Sequence, residues 1–273
     1  MKILITGGNS FIGRNINEQL KDKYEIDCFG RDQLNLLSYQ LVKDVLSYGK
    51  YDVVIHTATW TYDNETMLEK NLEMFFNLEN NNHLYGKMLY FGSGAEFGSG
   101  NYIDAKEQDF GVNIPTDPYG FSKYTMTKIA SFSQNIYNLR LFATFGKYDL
   151  PARPILDLIN QSFIDDKEII LEKNYFYDYL HVDDIVKVVD WFINNEPIHQ
   201  VYNVCSGGGI DFKHIAEHII RLSGKDLKLK IVDNSALKMY CGNNNQLLNE
   251  IDFELTSFYT GLKNLYNYYK ELL

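Results

Sequence analysis

The stretch "ILITGGNSFIGRNI", residues 3–16, decides the fold. Ile3, Leu4 and Ile5 form a short apolar run. Glycines then mark the turn where a first strand becomes a helix, with Ile12, Ile16 and Leu20 at helical spacing. Backbone N–H groups at such a turn, together with the positive end of the helix, suit a pyrophosphate. The missing Cβ of Gly7 and of Gly13 permits close approach and close packing. The middle glycine of the usual Gly-x-x-Gly-x-x-Gly spacing is Ser10 here, which is expected to crowd the turn slightly. A glycine loop alone is a weak signal, but directly after the first strand of a βαβ chain it points to a dinucleotide site.

Downstream, short apolar runs alternate with helical patterns. "YEIDCFG" (24–30), a helix-like 38–48, "YDVVIHTA" (51–58), "KMLYFGS" (87–93) and "NLRLFATFG" (138–146) follow one another, with a helix beginning near Tyr119. Strands separated by helices imply an α/β fold with a doubly wound, parallel, Rossmann-like sheet. A dinucleotide-binding domain is expected over 1–146. The remainder, 147–273, reads as a smaller, interleaved, mainly substrate-binding lobe. It holds a helix-like 155–164, the strand-like "QVYNVCS" (200–206) and a helix from about 212, and its segment around 177–205 returns to the sheet. The asparagine triplets at 80–82 and 243–245 read as helix ends or loops.

Composition narrows the function. The 273 residues are 45% hydrophobic, enough for a substantial core, and the formal charge of −10 comes without a basic run that could track a phosphate backbone. Nucleic acid is therefore not an expected partner. Cys28, Cys205 and Cys241 are odd in number and far apart, so neither a disulfide framework nor a metal site is expected. "MKILITGG" is too short in its apolar run for a signal peptide, and no stretch approaches the length of a membrane span. A cytoplasmic protein is the expectation.

The second strand ends at "CFGRDQLNL" (28–36). An NAD site commonly places an acidic residue there for the ribose 2′-hydroxyl. This chain offers Arg31 first and Asp32 second. A guanidinium grips a 2′-phosphate, whereas a carboxylate repels it. NADP is preferred on this ground, with NAD, its ribose on Asp32, as the alternative.

"DPYGFSKY", residues 117–124, places Tyr119 four residues before Lys123. Tyr-x-x-x-Lys occurs six times in this tyrosine-rich chain, so the spacing alone decides nothing. The context does. "TGGNSFIG" (6–13), "VIHTA" (54–58), "FGSGAEFG" (91–98), "PYGFSK" (118–123), "LRLFATFG" (139–146), "YLHVDDI" (179–185) and "YNVCSGG" (202–208) stand in this order. Together they resemble the extended short-chain dehydrogenase/reductase family, the NAD(P)-dependent sugar epimerases, dehydratases and reductases, over nearly the whole chain.

The resemblance implies that Ser93, Tyr119 and Lys123 are catalytic. Tyr119 would act as the proton donor or acceptor, with Lys123 favouring its phenolate and holding the nicotinamide ribose. Ser93 would bond the reacting sugar oxygen. It also implies a cofactor site built from Gly7, Ser10, Phe11, Ile12, Gly13, Arg31, Asn35, Leu36, Thr57, Ala58 and Thr59 together with Tyr119 and Lys123. The family often forms homodimers through helices that include the Tyr-x-x-x-Lys helix, and a homodimer is expected here.

Within the family, dehydratases carry Asp and Glu where this chain has Gly94 and Ala95, and the GDP-fucose synthase type has a cysteine at Ala95. Those reactions lack their tools. Two readings need only Ser93, Tyr119, Lys123 and a hydride carrier. One is NADPH-dependent reduction of the 4-keto group of a nucleotide-activated deoxy sugar, in surface-polysaccharide or related sugar biosynthesis. The other is a 4-epimerase with tightly held NAD. Arg31 favours the reductase. A non-catalytic NAD(P)-binding sensor or structural protein is the rival class, and retention of Ser93, Tyr119 and Lys123 argues against it.

An arginine that often contacts the substrate diphosphate is Tyr177 here, and a frequent asparagine is Ala143. Either Arg153 or Lys173 holds the diphosphate instead or the substrate is not a sugar nucleotide, and a sugar nucleotide is the expectation. His214 and His218 stand at i and i+4 without a third ligand and read as a helix face. His181 and Asp183 read as packing and hydrogen-bonding residues, and the aromatic run 175–179 as a strand near the core.

Overall fold

The first strand, β1 (Lys2–Thr6), is buried along almost its whole length, as a strand with helices on both faces must be. Its side chains alternate between two cores. Ile3 and Ile5 enter one, and Leu4 enters the other. The computed structural model describes residues 1–98, 100, 102–164 and 167–272.

After β1 the chain runs through α1 (Phe11–Leu20), β2 (Glu25–Phe29), α2 (Tyr39–Gly49), β3 (Val53–His56), α3 (Met67–Glu79) and β4 (Lys87–Ser93). It continues with β5 (Tyr102–Ala105), α4 (Pro118–Ala130), β6 (Ile136–Leu141), β7 (Ala143–Phe145) and α5 (Pro154–Phe163). Then come β8 (Glu168–Tyr177), β9 (Tyr179–His181), α6 (Val182–Asn194), β10 (Val201–Val204), β11 (Ile210–Asp211) and α7 (Phe212–Ser223). The last elements are β12 (Lys228–Gly242), α8 (Asn245–Leu248) and α9 (Phe258–Lys270).

Among the described residues the central sheet has six strands in the order β10-β6-β4-β3-β1-β2, all parallel. The order reverses between β1 and β3, and the crevice beyond the carboxyl ends of those strands is where such sheets bind ligands. Ile16 and Leu20 of α1 and Ile185, Val189 and Phe192 of α6 cover one face. Val42 of α2, Phe75 of α3 and Met126 of α4 cover the other.

The expected single strand over 138–146 is two. β6 belongs to the central sheet, while β7 pairs with β9 in a separate ribbon. The break falls at Phe142, which leaves the sheet to pack its ring against Phe97 and Tyr240 at centroid distances of 6.2 and 5.2 Å.

A second sheet, in the order β11-β8-β12-β5, builds the smaller lobe with α5, α7 and α9. Residue 146 is crossed both ways: β5 from the first half edges this second sheet, and α6 with β10 from the second half completes the first layer and sheet. Of the asparagine triplets, Asn80 closes α3 and Asn244 precedes α8.

Phe192 of α6 lies in the core shared with β1, β3, β4 and β6 of the first half, with its ring edge-on to Tyr202 of β10 at 5.0 Å and no exposed surface. Phe192→Ala is expected to cost about 3–5 kcal/mol of stability through the cavity it leaves. Urea denaturation of the two proteins side by side measures this.

Candidate active site

The turn after β1 is one that glycine must make. Gly7 has φ +75, and a Cβ there would stand 2.6 Å from the Ala58 nitrogen. A Cβ on Gly13 would stand 2.6 Å from the Gly7 carbonyl oxygen. Ser10 does not crowd the turn as expected. Its backbone is extended, so no glycine is needed, and it caps α1: its hydroxyl accepts from the Gly13 N–H at 3.0 Å and lies 2.9 Å from Thr57 Oγ. The remaining N–H groups at this helix start are free to face a pyrophosphate. The cradle fits a dinucleotide.

This turn opens into a cleft of about 710 Å³, in the size range of small-molecule sites. Gly7, Ser10, Phe11 and Ile12 line its floor, and Thr57, Ala58 and Thr59 line the wall after β3. Arg31, Asn35 and Leu36 line the end beyond β2. Gly13 sits behind the surface, where it lets α1 approach the turn. Arg31 also lies 4.6 Å over the Trp60 ring and 5.9 Å from the Tyr62 ring. Its guanidinium is thus partly ordered by cation–π contact before any ligand arrives. Asp32 is exposed and does not line the cleft. Trp60 carries no motif, and its role is visible only in the fold.

Ser93, Tyr119 and Lys123 line the opposite end of the same cleft. Ser93 ends β4, and its hydroxyl accepts from the Ala95 N–H at 3.2 Å. Tyr119 and Lys123 lie on the first turns of α4, whose start is defined by Asp117 accepting from the Gly120 N–H at 2.7 Å and by Pro118. The Lys123 ammonium donates to the Phe91 carbonyl at 2.8 Å and sits 5.9 Å from the Tyr119 ring centre.

Burial lowers the Lys123 pKa to about 8, against a partly opposing pull from Glu96. Burial pushes the Tyr119 phenol above its ordinary value, although the Ser93 hydroxyl and the Arg153 charge pull it down. In the protein alone the phenol is thus favoured in its neutral form. The other Tyr-x-x-x-Lys pair on α4, Tyr124 and Lys128, packs against Phe110 instead.

Behind Ser93 lies a buried polar network absent from the motif reading. Glu96, with no exposed surface, accepts from the Ser93 N–H at 2.9 Å and from Thr127 Oγ at 2.9 Å. The Arg140 guanidinium meets it through Nε and Nη2, both at 2.9 Å. Asn138 bonds both Glu96 and the Gly92 N–H. The available signal was the pair of polar residues, Asn138 and Arg140, inside the otherwise apolar run of β6.

Arg153 reaches the cleft, 3.1 Å from Asp149 and 3.4 Å from Thr144 Oγ. Lys173 does not. Its ammonium lies 3.0 Å from Asp233 across the β8–β12 ribbon, and the cleft lining does not include it. The expectation for Lys173 is corrected accordingly: the long β8 carries it along the second sheet, away from the crevice.

Tyr175 stacks on Tyr177, Tyr177 is tilted against Tyr179, and Tyr177 meets Phe212 edge-on inside the smaller lobe. His181 caps α6, accepting from the Asp183 N–H at 3.3 Å. His214 pairs with Asp211 at 2.7 Å, and His218 lies 3.2 Å from Arg221.

The glycine turn, the Ser93 loop and the Tyr119 helix around one cleft match a known family. The chain belongs to the NAD dependent epimerase/dehydratase family. The family's model matches residues 3–205. Membership makes the protein an NAD(P)-dependent enzyme of the short-chain dehydrogenase/reductase type.

Among its relatives, the dTDP-D-glucose 4,6-dehydratase of Dictyostelium discoideum is 27% identical over 81% of this chain, which spans 62% of that protein. The GDP-6-deoxy-D-talose 4-dehydrogenase of Aggregatibacter actinomycetemcomitans is 24% identical over 97% of each chain. The fold matches the UDP-glucose 4-epimerase of Thermotoga maritima with a TM-score of 0.85 at 18% identity, covering 100% of this chain and 99% of that one. It matches a GDP-6-OMe-4-keto-L-xylo-heptose reductase from C. jejuni at 0.84 and 16% identity, covering 100% and 98%.

Ser10→Ala is expected to cost about 1 kcal/mol of stability and to weaken NADPH binding, whereas Ser10→Gly costs only a few tenths. Thermal melts with and without cofactor separate the two effects. His56, buried beside the site with Nδ1 2.8 Å from Thr6 Oγ, has its pKa lowered to about 3 by burial and by Lys123. The unfolded chain binds a proton near pH 6.5 that the native state refuses, so stability falls as pH drops from 6.5 toward 3. His56→Gln is expected to flatten that slope in urea titrations between pH 7 and 4.

Proposed function

We propose that the protein uses NADPH to reduce the 4-keto group of a nucleotide-activated deoxy sugar. The observation that carries the reading is the pairing of a half-buried Tyr119, its phenol held protonated at the cleft, with residues 94 and 95 that hold no proton. Gly94 and Ala95 supply neither acid nor base for elimination or for proton abstraction next to a carbonyl. Reduction requires a proton donor, and a phenol held protonated is one. The 4-dehydrogenase relative and the keto-heptose reductase neighbour, by their names, act in redox chemistry on activated sugars.

With the cofactor held by the glycine turn and by Arg31, the chemistry it would supply is a hydride to the carbonyl carbon. Ser93 donates a hydrogen bond to the keto oxygen. Tyr119 delivers its proton to the same oxygen as negative charge develops there, which completes the alcohol, and water restores the phenol afterwards. Lys123 keeps a positive charge beside the transient phenolate, and with an ordinary base this poor, that charge is what makes proton transfer in either direction accessible near neutral pH.

Arg31, lying on Trp60, faces the adenosine end, where its guanidinium can grip a 2′-phosphate. Arg153 offers the cleft a positive charge for the substrate's diphosphate. Among the described residues no helix is long and apolar enough to cross a membrane, and we place the reaction in the cytoplasm, in the synthesis of surface-polysaccharide sugars. The paired helices α3 and α4 are the surface on which we place a homodimer.

Incubation with NADPH and a panel of 4-keto-6-deoxy sugar nucleotides, followed at the reduced-nicotinamide band, tests the reading. Stoichiometric oxidation that Tyr119→Phe abolishes is the expected result. No net oxidation, with NAD co-purifying and a hydroxy sugar nucleotide interconverted, would instead make the protein a 4-epimerase. Arg31→Ala is expected to weaken NADPH by about tenfold or more, the value of a charge-assisted contact, and to leave NADH unchanged. Parallel KM measurements with the two cofactors decide that point.

A further inference from the structure

Ser93 has one proton and two lone pairs to place. The Ala95 N–H fills one lone pair. The Tyr240 hydroxyl stands 3.4 Å from the same oxygen. Tyr240 comes from β12 in the smaller lobe, where it is in register with Tyr102 of β5 and Tyr177 of β8. Its ring is wedged between Phe142 at 5.2 Å and Tyr177 at 5.5 Å, and it does not line the cleft.

The approach is open because residue 94 is glycine. A Cβ there would lie 2.6 Å from the Tyr240 hydroxyl and 2.8 Å from the Phe142 ring. Burial holds the Tyr240 phenol protonated, far above its ordinary value, so it is a neutral hydrogen-bond donor throughout the working range of pH. On its other side Ser93 shares the cleft lining with Tyr119, whose phenol its hydroxyl pulls downward in pKa.

We propose that Tyr240 is a positioning residue for Ser93. By donating into the second lone pair it leaves the serine proton one direction, into the cleft, toward Tyr119 and the oxygen that reacts. The three hydroxyls then form a directed chain, Tyr240 to Ser93 to Tyr119 or to substrate, and hydrogen bonds in such a chain polarise one another. The smaller lobe thereby acts on the reacting oxygen through Ser93. The identity of that oxygen rests on the reductase reading; the geometry does not.

The test is a double-mutant cycle on kcat and KM with Tyr240→Phe, Ser93→Ala and both together, with NADPH affinity followed by nicotinamide fluorescence. It is read on keto-sugar reduction or, should the protein interconvert hydroxy sugars, on that reaction, which uses the same oxygen. Tyr240→Phe is expected to lower kcat about tenfold with KM and NADPH affinity within about twofold, and to have no further effect once Ser93 is alanine. Gly94→Ala, which crowds the hydroxyl while keeping the tyrosine, should reproduce the kcat loss.

Unchanged kcat in Tyr240→Phe, losses that multiply in the double variant, or a matching loss of NADPH binding would each overturn the proposal. Wild-type protein that turns over neither class of sugar sinks the functional reading and this one with it. An active wild type with an unimpaired Tyr240→Phe sinks this one alone.

Discussion

A carboxylate and a guanidinium with no exposed surface, Glu96 and Arg140, meet at 2.9 Å behind the Ser93 end of the cleft. Removing two charges from water costs several kcal/mol per ion, and their attraction offsets this only if every remaining lone pair and proton is satisfied. Here the surroundings supply most of that: Arg140 Nη2 faces Glu96 as an ion pair but has no hydrogen-bond partner among the described residues. Glu96 also takes Thr127, Asn138 and the Ser93 N–H. Arg140 reaches Asn203 at 3.1 Å and lies 4.7 Å over Phe97 and 5.2 Å from Phe110. The pair therefore ties together β4, the turn after it, α4, β6 and β10. Ser93 is held because its own N–H is one of the bonds that the buried carboxylate needs.

That constraint explains how two lobes share one site. Asn203, at the edge strand contributed by the second half, bonds Arg140 of the first and the backbone oxygens of Ala105 and Asn243. Asp178 accepts from Ser206 and Gly207 and so fixes the loop that follows the same strand. The crossing strands β5 and β10 make separate folding of the lobes unfavourable, because each would leave a sheet edge and a buried polar group without partners. β12, running beside β5 and β8, then brings Tyr240 to the back of Ser93.

The cofactor end works by different physics. No charge is buried there; the geometry is set by missing atoms. Gly7 and Gly13 allow backbone to approach where any Cβ would collide, and Ser10 closes the helix start so that Gly13's own N–H is satisfied. Arg31 is oriented by the faces of Trp60 and Tyr62 in place of a carboxylate. A dinucleotide would thus meet a cradle of backbone and hydroxyl groups for its pyrophosphate, with Arg14 also lining the cleft, and the oriented Arg31 at its far end.

Much of this was legible along the chain, because the relevant signals are local. The glycine turn, the alternation of apolar runs with helical patterns, Ser93 at a strand end and Tyr119 one helical turn before Lys123 all depend on neighbours within a few residues. Local periodicity therefore suffices to identify the parallel sheet and to bring the motifs to its carboxyl edge. It did not suffice at Phe142, where ring packing against Phe97 and Tyr240 splits one apparent strand between two sheets. Nor did it suffice for Lys173, which β8 carries onto the outer ribbon beside Asp233. The pairing of Glu96 with Arg140, of Arg31 with Trp60 and of Ser93 with Tyr240 joins residues 44, 29 and 147 positions apart, and no spacing rule encodes such contacts. The sequence by itself determined the fold class and the chemical groups at the reactive end. Only the tertiary structure decided which buried charge holds them and which hydroxyl stands behind them, because burial and distance are properties of the packed chain.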